Sequence, residues 1–289
     1  MSDVKCYLCG NQKFKQRSGS VRDNSNLKML ECDSCGLVFL SSFDHIKKGF
    51  YENSGMHGEE AVNVQSWIRQ TDIDDERRFQ FLQPVLPERS LLDFGCGTGN
   101  FLLKAESVVS RTHGVELENR LTCHYKEKDL IVYRSLSEIP EKFRHGGYDI
   151  ITAFHVLEHI VDPKSILTEL SQILTDDGQV IVEVPSSDDA LLTVYNNEAF
   201  CDFTYWSCHL FLFNAKTLGK LAAQAGLKTN YIRQVQRYGL SNHLFWLAKG
   251  KPEGHKQWHF LDSAALNEAY ERQLAAIGAC DTIFASFSR

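Results

Sequence analysis

The chain has 289 residues, 43% hydrophobic and 24% charged, values that exclude a disordered tail, a collagen-like repeat and a membrane channel. Its charge is mildly acidic, 31 basic against 37 acidic residues, and uneven: residues 1–50 carry eight basic and five acidic side chains, a formal +3, which leaves −9 on the remainder. A body of that sign disfavours nucleic acid as a partner, because a phosphate backbone calls for a basic face.

No apolar run approaches the ~20 residues of a bilayer span. Met1–Cys6 lacks the apolar stretch of a secretory signal, so a cytoplasmic chain without membrane contact is expected. Nine cysteines in that compartment argue against a disulfide framework. Four of them form Cys6-Tyr7-Leu8-Cys9-Gly10 and Cys32-Asp33-Ser34-Cys35-Gly36. Each C-x2-C turn aims two thiolates at one point, and two turns complete a closed tetrahedral site for structural Zn²⁺. The gap between them reads as a hairpin with the polar tip Asp23-Asn24-Ser25-Asn26. Residues 1–45 are therefore expected to be a zinc ribbon, too small for a core of its own and folding on its metal.

Residues 46–80 read as a linker or lid with helices, and 81–252 as the main domain. There Ser90-Leu91-Leu92-Asp93-Phe94 is an apolar run ending in an acid. Gly95, Gly97 and Gly99 follow at spacing two, and a helical pattern opens at Asn100. This is a strand, a tight loop and a helix start, the ligand-binding turn of a doubly wound α/β sheet. Glycines let the chain turn sharply and let a ligand lie against main-chain N–H groups. The dinucleotide fingerprint fails, because Asn100 stands where it needs Gly or Ala. The next strand, Thr112–Glu118, ends in acids; Glu116 is placed to accept ribose hydroxyls, and Glu118 is expected to be solvated. A short strand at Leu130–Tyr133 precedes Arg134-Ser135-Leu136. Tyr148–Phe154 is another strand, followed by His155-Val156-Leu157-Glu158-His159, a helix after Pro163, the turn Asp176-Asp177-Gly178 and the strand Gln179–Val184.

The D-x-G-x-G-x-G loop and the strand, H-V-L-E-H, D-P, helix, D-G, strand order resemble class I S-adenosylmethionine-dependent methyltransferases over roughly residues 80–250. The resemblance implies a seven-stranded Rossmann-like sheet with helices on both faces. It implies that Asp93, Gly95, Gly97 and Gly99 hold the methionine part, Glu116 the ribose, and Ser135 with Leu136 the adenine. Cys96, Leu117, Phe154 and His155 adjoin these positions and join the expected cofactor-binding set. Tyr51 is an expected lid contact. His155-x-x-Glu158-His159 also spells the inverted zinc-protease motif, but Pro163 leaves room for at most one helical turn.

After the fifth strand comes an insertion, Asp188–Phe203, then Thr204–Phe213, a helix Ala215–Ala225, and two expected last strands, Lys228–Val235 and His243–Ala248. Residues 253–289 read as a C-terminal helical extension, with helical spacing over Leu261–Ile277. The Tyr205–Phe213 stretch is similar to an aromatic, histidine-containing segment of zinc-ribbon sugar C-methyltransferases. His209 falls on that segment's second His, while Ser207 and Cys208 stand where the family has His and Glu. His209 and His155 are the candidate bases. The expected activity is methylation of a sugar-like or secondary-metabolite acceptor, a small molecule. Alternatives are a ribosomal RNA base methyltransferase and a cofactor-binding scaffold without turnover.

Overall fold

The computed structural model describes residues 4–52 and 63–289. Strands in chain order are β1 (Phe14–Gln16), β2 (Met29–Cys32), β3 (Val38–Leu40), β4 (Ser90–Phe94), β5 (Arg111–Val115), β6 (Val132–Tyr133), β7 (Tyr148–Phe154), β8 (Leu174–Pro185), β9 (Phe211–Leu212), β10 (Lys228–Val235) and β11 (Thr282–Ser288). The helices are α1 (Val64–Leu82), α2 (Asn100–Ala105), α3 (Thr122–Glu127), α4 (Pro163–Gln172), α5 (Ala190–Thr193), α6 (Glu198–Thr204), α7 (Ala215–Gln224), α8 (Leu240–Lys249), α9 (Gly254–Gln257) and α10 (Ala264–Ala276).

Seven strands form one sheet in the order β10-β11-β8-β7-β4-β5-β6. β4, β5, β6, β7 and β8 run parallel, and β11 is antiparallel to both neighbours. Parallel strands covered on both faces need near-continuous apolar sequence, and Leu91, Leu92, Ile150, Ile151, Val180, Ile181 and Val182 are buried accordingly. The seventh strand departs from the sequence reading. His243–Ala248 lies inside α8, and the seventh strand is β11, within the segment read as a helical extension. A short apolar run is compatible with helix or strand, so periodicity could not decide His243–Ala248. β11 is buried from Thr282 to Phe287 because it is inserted between β8 and β10.

The N-terminal segment builds a second sheet, β1-β2-β3-β9. Its last strand comes from the main domain, with Val38 opposite Leu212 and Phe39 opposite Phe211. Leu8, Val21, Met29, Leu37 and Phe39 share one buried cluster with Tyr205, Leu210, Phe211 and Phe213. The N-terminal segment, expected to fold on a metal for want of a core, therefore borrows a core from the larger domain. Gly10 and Gly36, one residue past the second cysteine of each pair, have φ of +70° and +79°, the left-handed turn that glycine adopts without steric cost. Among the described residues, no helix is long and apolar enough to cross a membrane.

Candidate functional site

A cavity of about 880 Å³ opens outside the carboxyl ends of β4, β5 and β7, where open α/β sheets bind ligands. Its lining includes all the expected cofactor positions except Gly99: Asp93, Gly95, Cys96, Gly97, Glu116, Leu117, Ser135, Leu136, Phe154, His155 and Tyr51. Gly99 instead caps α2 with φ +74°.

The loop is held from several sides. Gly95 and Cys96 N–H both donate to Val115 carbonyl, at 2.8 and 3.1 Å, and Gly99 N–H to Cys96 carbonyl at 2.8 Å. Gly97 N–H donates to Glu116 Oε2 at 2.9 Å. These amides are thus spent inside the fold, and the loop offers a bare surface rather than the cradle of free N–H groups expected. The bareness is required: a Cβ on Gly95 would stand 2.3 Å from Val156 Cγ2, and one on Gly97 3.3 Å from Trp67 Cζ2. From α3, Tyr125 donates its hydroxyl to Gly97 carbonyl at 2.6 Å, and His124 Nε2 lies 2.9 Å from Thr98 carbonyl. Neither residue was legible as a loop support, since both belong to a separate helix.

Glu116 accepts from Gly97 N–H and, through Oε1, from Glu118 N–H at 2.9 Å. Each oxygen keeps a lone pair for a further donor. Glu118, expected in solvent, is buried and paired with Arg120 at 2.8 Å. Asp93 is buried and accepts from the Thr152 hydroxyl at 2.7 Å. Burial pushes its carboxyl up to about 7, against that hydrogen bond.

His155 follows β7 with φ +55°. Its Nδ1 lies 3.2 Å from Glu158 Oε1, and its Nε2 lies 3.1 Å from both Glu183 Oε1 and Arg237 Nη1. Glu183 also binds Arg77 at 2.9 Å and Arg78 at 2.6 Å from α1, and Arg237 pairs with Asp74 of that helix. No local pattern signals this network, whose members lie on α1, the segment after β7, β8 and the loop after β10. The H-x-x-E-H stretch is a single 3₁₀ turn, Leu157–His159, rather than the long helix of a zinc protease.

On the other wall, Phe200, Phe203, Trp206, Trp246 and His209 line the cavity. Tyr205 and Phe211 are instead core residues. His209 Nδ1 is buried with no hydrogen-bond partner among the described residues. Burial lowers its pKa to about 3, so the ring is neutral near pH 7. His159 Nδ1 lies 2.7 Å from Cys208 carbonyl, and Tyr51 hydroxyl donates to His159 carbonyl at 2.8 Å. The ribbon reaches this wall: the Arg22 guanidinium lies 4.6 Å from the Trp206 ring centre.

The four ribbon thiols, Cys6, Cys9, Cys32 and Cys35, lie within 4.8 Å of one another, with Cys6–Cys35 and Cys9–Cys32 both at 3.5 Å. Tetrahedral Zn–S bonds of ~2.3 Å put sulfurs ~3.8 Å apart, so the set fits zinc and leaves no ligand position open.

The strand order, glycine loop and strand-end acid define a class I S-adenosylmethionine-dependent methyltransferase fold. A family model described as a methyltransferase domain matches residues 67–231, and the chain belongs to that family. A ubiquinone biosynthesis O-methyltransferase of Methylococcus capsulatus is 26% identical over 145 residues, which are 47% of this chain and 61% of that protein. Thus the chain spans somewhat under two thirds of that relative. An S-adenosylmethionine-dependent methyltransferase structure from Archaeoglobus fulgidus superposes with a TM-score of 0.53 at 16% identity, covering 79% of this chain and all of the other. One from Thermotoga maritima, described as a possible histamine N-methyltransferase, gives 0.51 at 18% identity, covering 78% of this chain and 93% of the other. These likenesses concern the fold.

Proposed function

We propose that the chain transfers the methyl group of S-adenosylmethionine to an oxygen of a small, hydroxyl-bearing and largely apolar acceptor. The observation that carries this reading is one continuous cavity, walled by the glycine loop and Glu116 and also by Trp206, Trp246 and His209. The cofactor supplies a methyl group on a positively charged sulfur. Asp93, Gly95, Cys96, Gly97 and Gly99 would hold or shape the place of its amino-acid end, Glu116 with Leu117 the ribose, and Ser135 with Leu136 the adenine. Phe154 and Tyr51 would complete the wall.

Methyl transfer needs in-line alignment above all, and a base only where the acceptor starts protonated. The aromatic wall excludes water and orients the acceptor. His209 is the side chain assigned to the acceptor end of the cavity, which it lines beside Trp206 and Trp246. His155, with both ring nitrogens engaged, positions Glu158 and Arg237 rather than acting as the base. The small-molecule O-methyltransferase relatives support oxygen over carbon. Cys6, Cys9, Cys32 and Cys35 are assigned a structural zinc ion with no position open for chemistry.

Purified protein incubated with S-adenosylmethionine and panels of sugar nucleotides, apolar phenols and ribosomal RNA should release S-adenosylhomocysteine with a small hydroxyl acceptor. Turnover with RNA alone, steeply salt-dependent, would overturn the acceptor class. Absence of binding heat with S-adenosylmethionine would overturn the whole reading.

A further inference from the structure

We propose that Glu158, His159 and His209 form a second metal site, for a divalent first-row transition ion, in the acceptor wall of the cavity. One ligand atom from each lies within 4.8 Å of the other two, and all three side chains line the cavity. Ligands bound at ~2.1 Å stand ~3.0–3.4 Å apart, so shifts of about 1 Å close the set.

Two unsatisfied atoms point to a missing ligand. Glu158 is completely buried, and its Oε2 has no hydrogen-bond partner among the described residues; His209 Nδ1 is in the same condition. Native interiors leave few such atoms. A cation between carboxylate and imidazole would satisfy both.

The third side chain is already oriented. Cys208 carbonyl can only accept, so His159 Nδ1 carries the proton at 2.7 Å, and the lone pair belongs to Nε2, 3.9 Å from Glu158 Oε1. Histidines that bind metals are commonly held this way by their other nitrogen.

Charge points the same way. Glu183 is answered by Arg77 and Arg78, and Asp74 by Arg237. Among the described residues, the ion-pair partners of Glu158 are imidazoles, His155 at 3.2 Å and His159 at 3.9 Å. A buried carboxylate without a full positive partner is costly, and a bound cation supplies one. Two imidazoles and one carboxylate suit Zn²⁺, Co²⁺, Mn²⁺ or Fe²⁺ better than Mg²⁺ or Ca²⁺. Three protein ligands also leave a position open toward the cavity. An acceptor oxygen would complete the shell, and this last point alone rests on the methyl-transfer reading.

The test is a metal count on the full chain, without donor or acceptor, after equilibration with Zn²⁺ or Co²⁺ and removal of free ion. The expected result is two ions per chain, falling to one in Glu158→Gln and in His209→Ala. The second Co²⁺ equivalent should add no thiolate charge-transfer absorption. One ion in the unaltered chain, or two retained in His209→Ala, would overturn the site. Titration with S-adenosylmethionine keeps the two proposals apart: binding heat in all three proteins shows an intact cofactor end whatever the metal count.

Discussion

The carboxylate of Asp23, at the tip of the ribbon, accepts both the backbone N–H and the hydroxyl of Ser207, at 2.9 and 2.6 Å. Ser207 lies two residues before His209, so the four-cysteine segment is tied directly to the wall that carries His209. Arg22 adds its stacking on Trp206, and Ser20 bonds Asp202 through N–H and hydroxyl.

Asp23→Ala should therefore injure acceptor handling and spare the cofactor. Loss of two charge-assisted bonds on a partly exposed loop is worth ~1–2 kcal/mol, or about tenfold in kcat/KM for the acceptor. The S-adenosylmethionine Kd from calorimetry should not move. Equal losses in both quantities would show that the ribbon supports the whole fold rather than this wall.

Gly95→Ala should weaken the cofactor end. The φ of +77° and a Cβ placed 2.3 Å from Val156 Cγ2 combine backbone strain with a clash that a stiff β-branched neighbour cannot relieve. A cost above about 2 kcal/mol is expected, seen as a lowered Tm and S-adenosylmethionine binding at least roughly tenfold weaker. Unchanged affinity would remove the loop from the cofactor site.

Glu183→Ala should be the most damaging change to stability. It leaves Arg78, which is buried, with Asp75 as its remaining carboxylate, and removes a partner from Arg77 and His155. Breaking a buried pair from one side costs ~3–5 kcal/mol. Urea denaturation would measure it, and a loss within the ordinary surface range would mean the network is dispensable.

Asp93 carries a pH signature. Its carboxyl, near 3.8 in the unfolded chain, is raised to about 7 by burial, with Asp75 and Glu116 adding to the rise and Thr152 and Arg78 opposing it. The native state then binds the extra proton between those values, so this contribution to stability is full at low pH and lost as pH rises through about 7. Asp93→Asn removes that term. Relative to the unaltered chain, the variant should gain stability as pH rises from about 4 to about 7, and hold that gain above it, in paired denaturation curves. Parallel pH profiles would refute the raised carboxyl.

The glycine loop, the strand-end acid Glu116 and the two cysteine pairs were readable because each is a short-range demand. Left-handed turns at Gly10, Gly36, Gly95 and Gly97 and the C-x2-C spacing are written in a few adjacent residues. The seventh strand was not readable. Thr282–Ser288 owes its place to a slot between β8 and β10 that exists only once the sheet has formed. The H-x-x-E-H run was visible too, and Pro163, which starts α4, leaves before it only a single 3₁₀ turn, within the one helical turn expected.

By itself, then, the sequence determined the sheet class, the loop that shapes one end of the cavity and a four-thiolate cluster, since local backbone geometry and chelate spacing need no distant partner. Tertiary structure alone decided that β3 pairs with β9, that Glu183 gathers Arg77, Arg78 and His155, and that Glu158 and His159 meet His209. Those groups lie far apart along the chain, and their meeting depends on how the packed layers close rather than on any stretch of neighbouring residues.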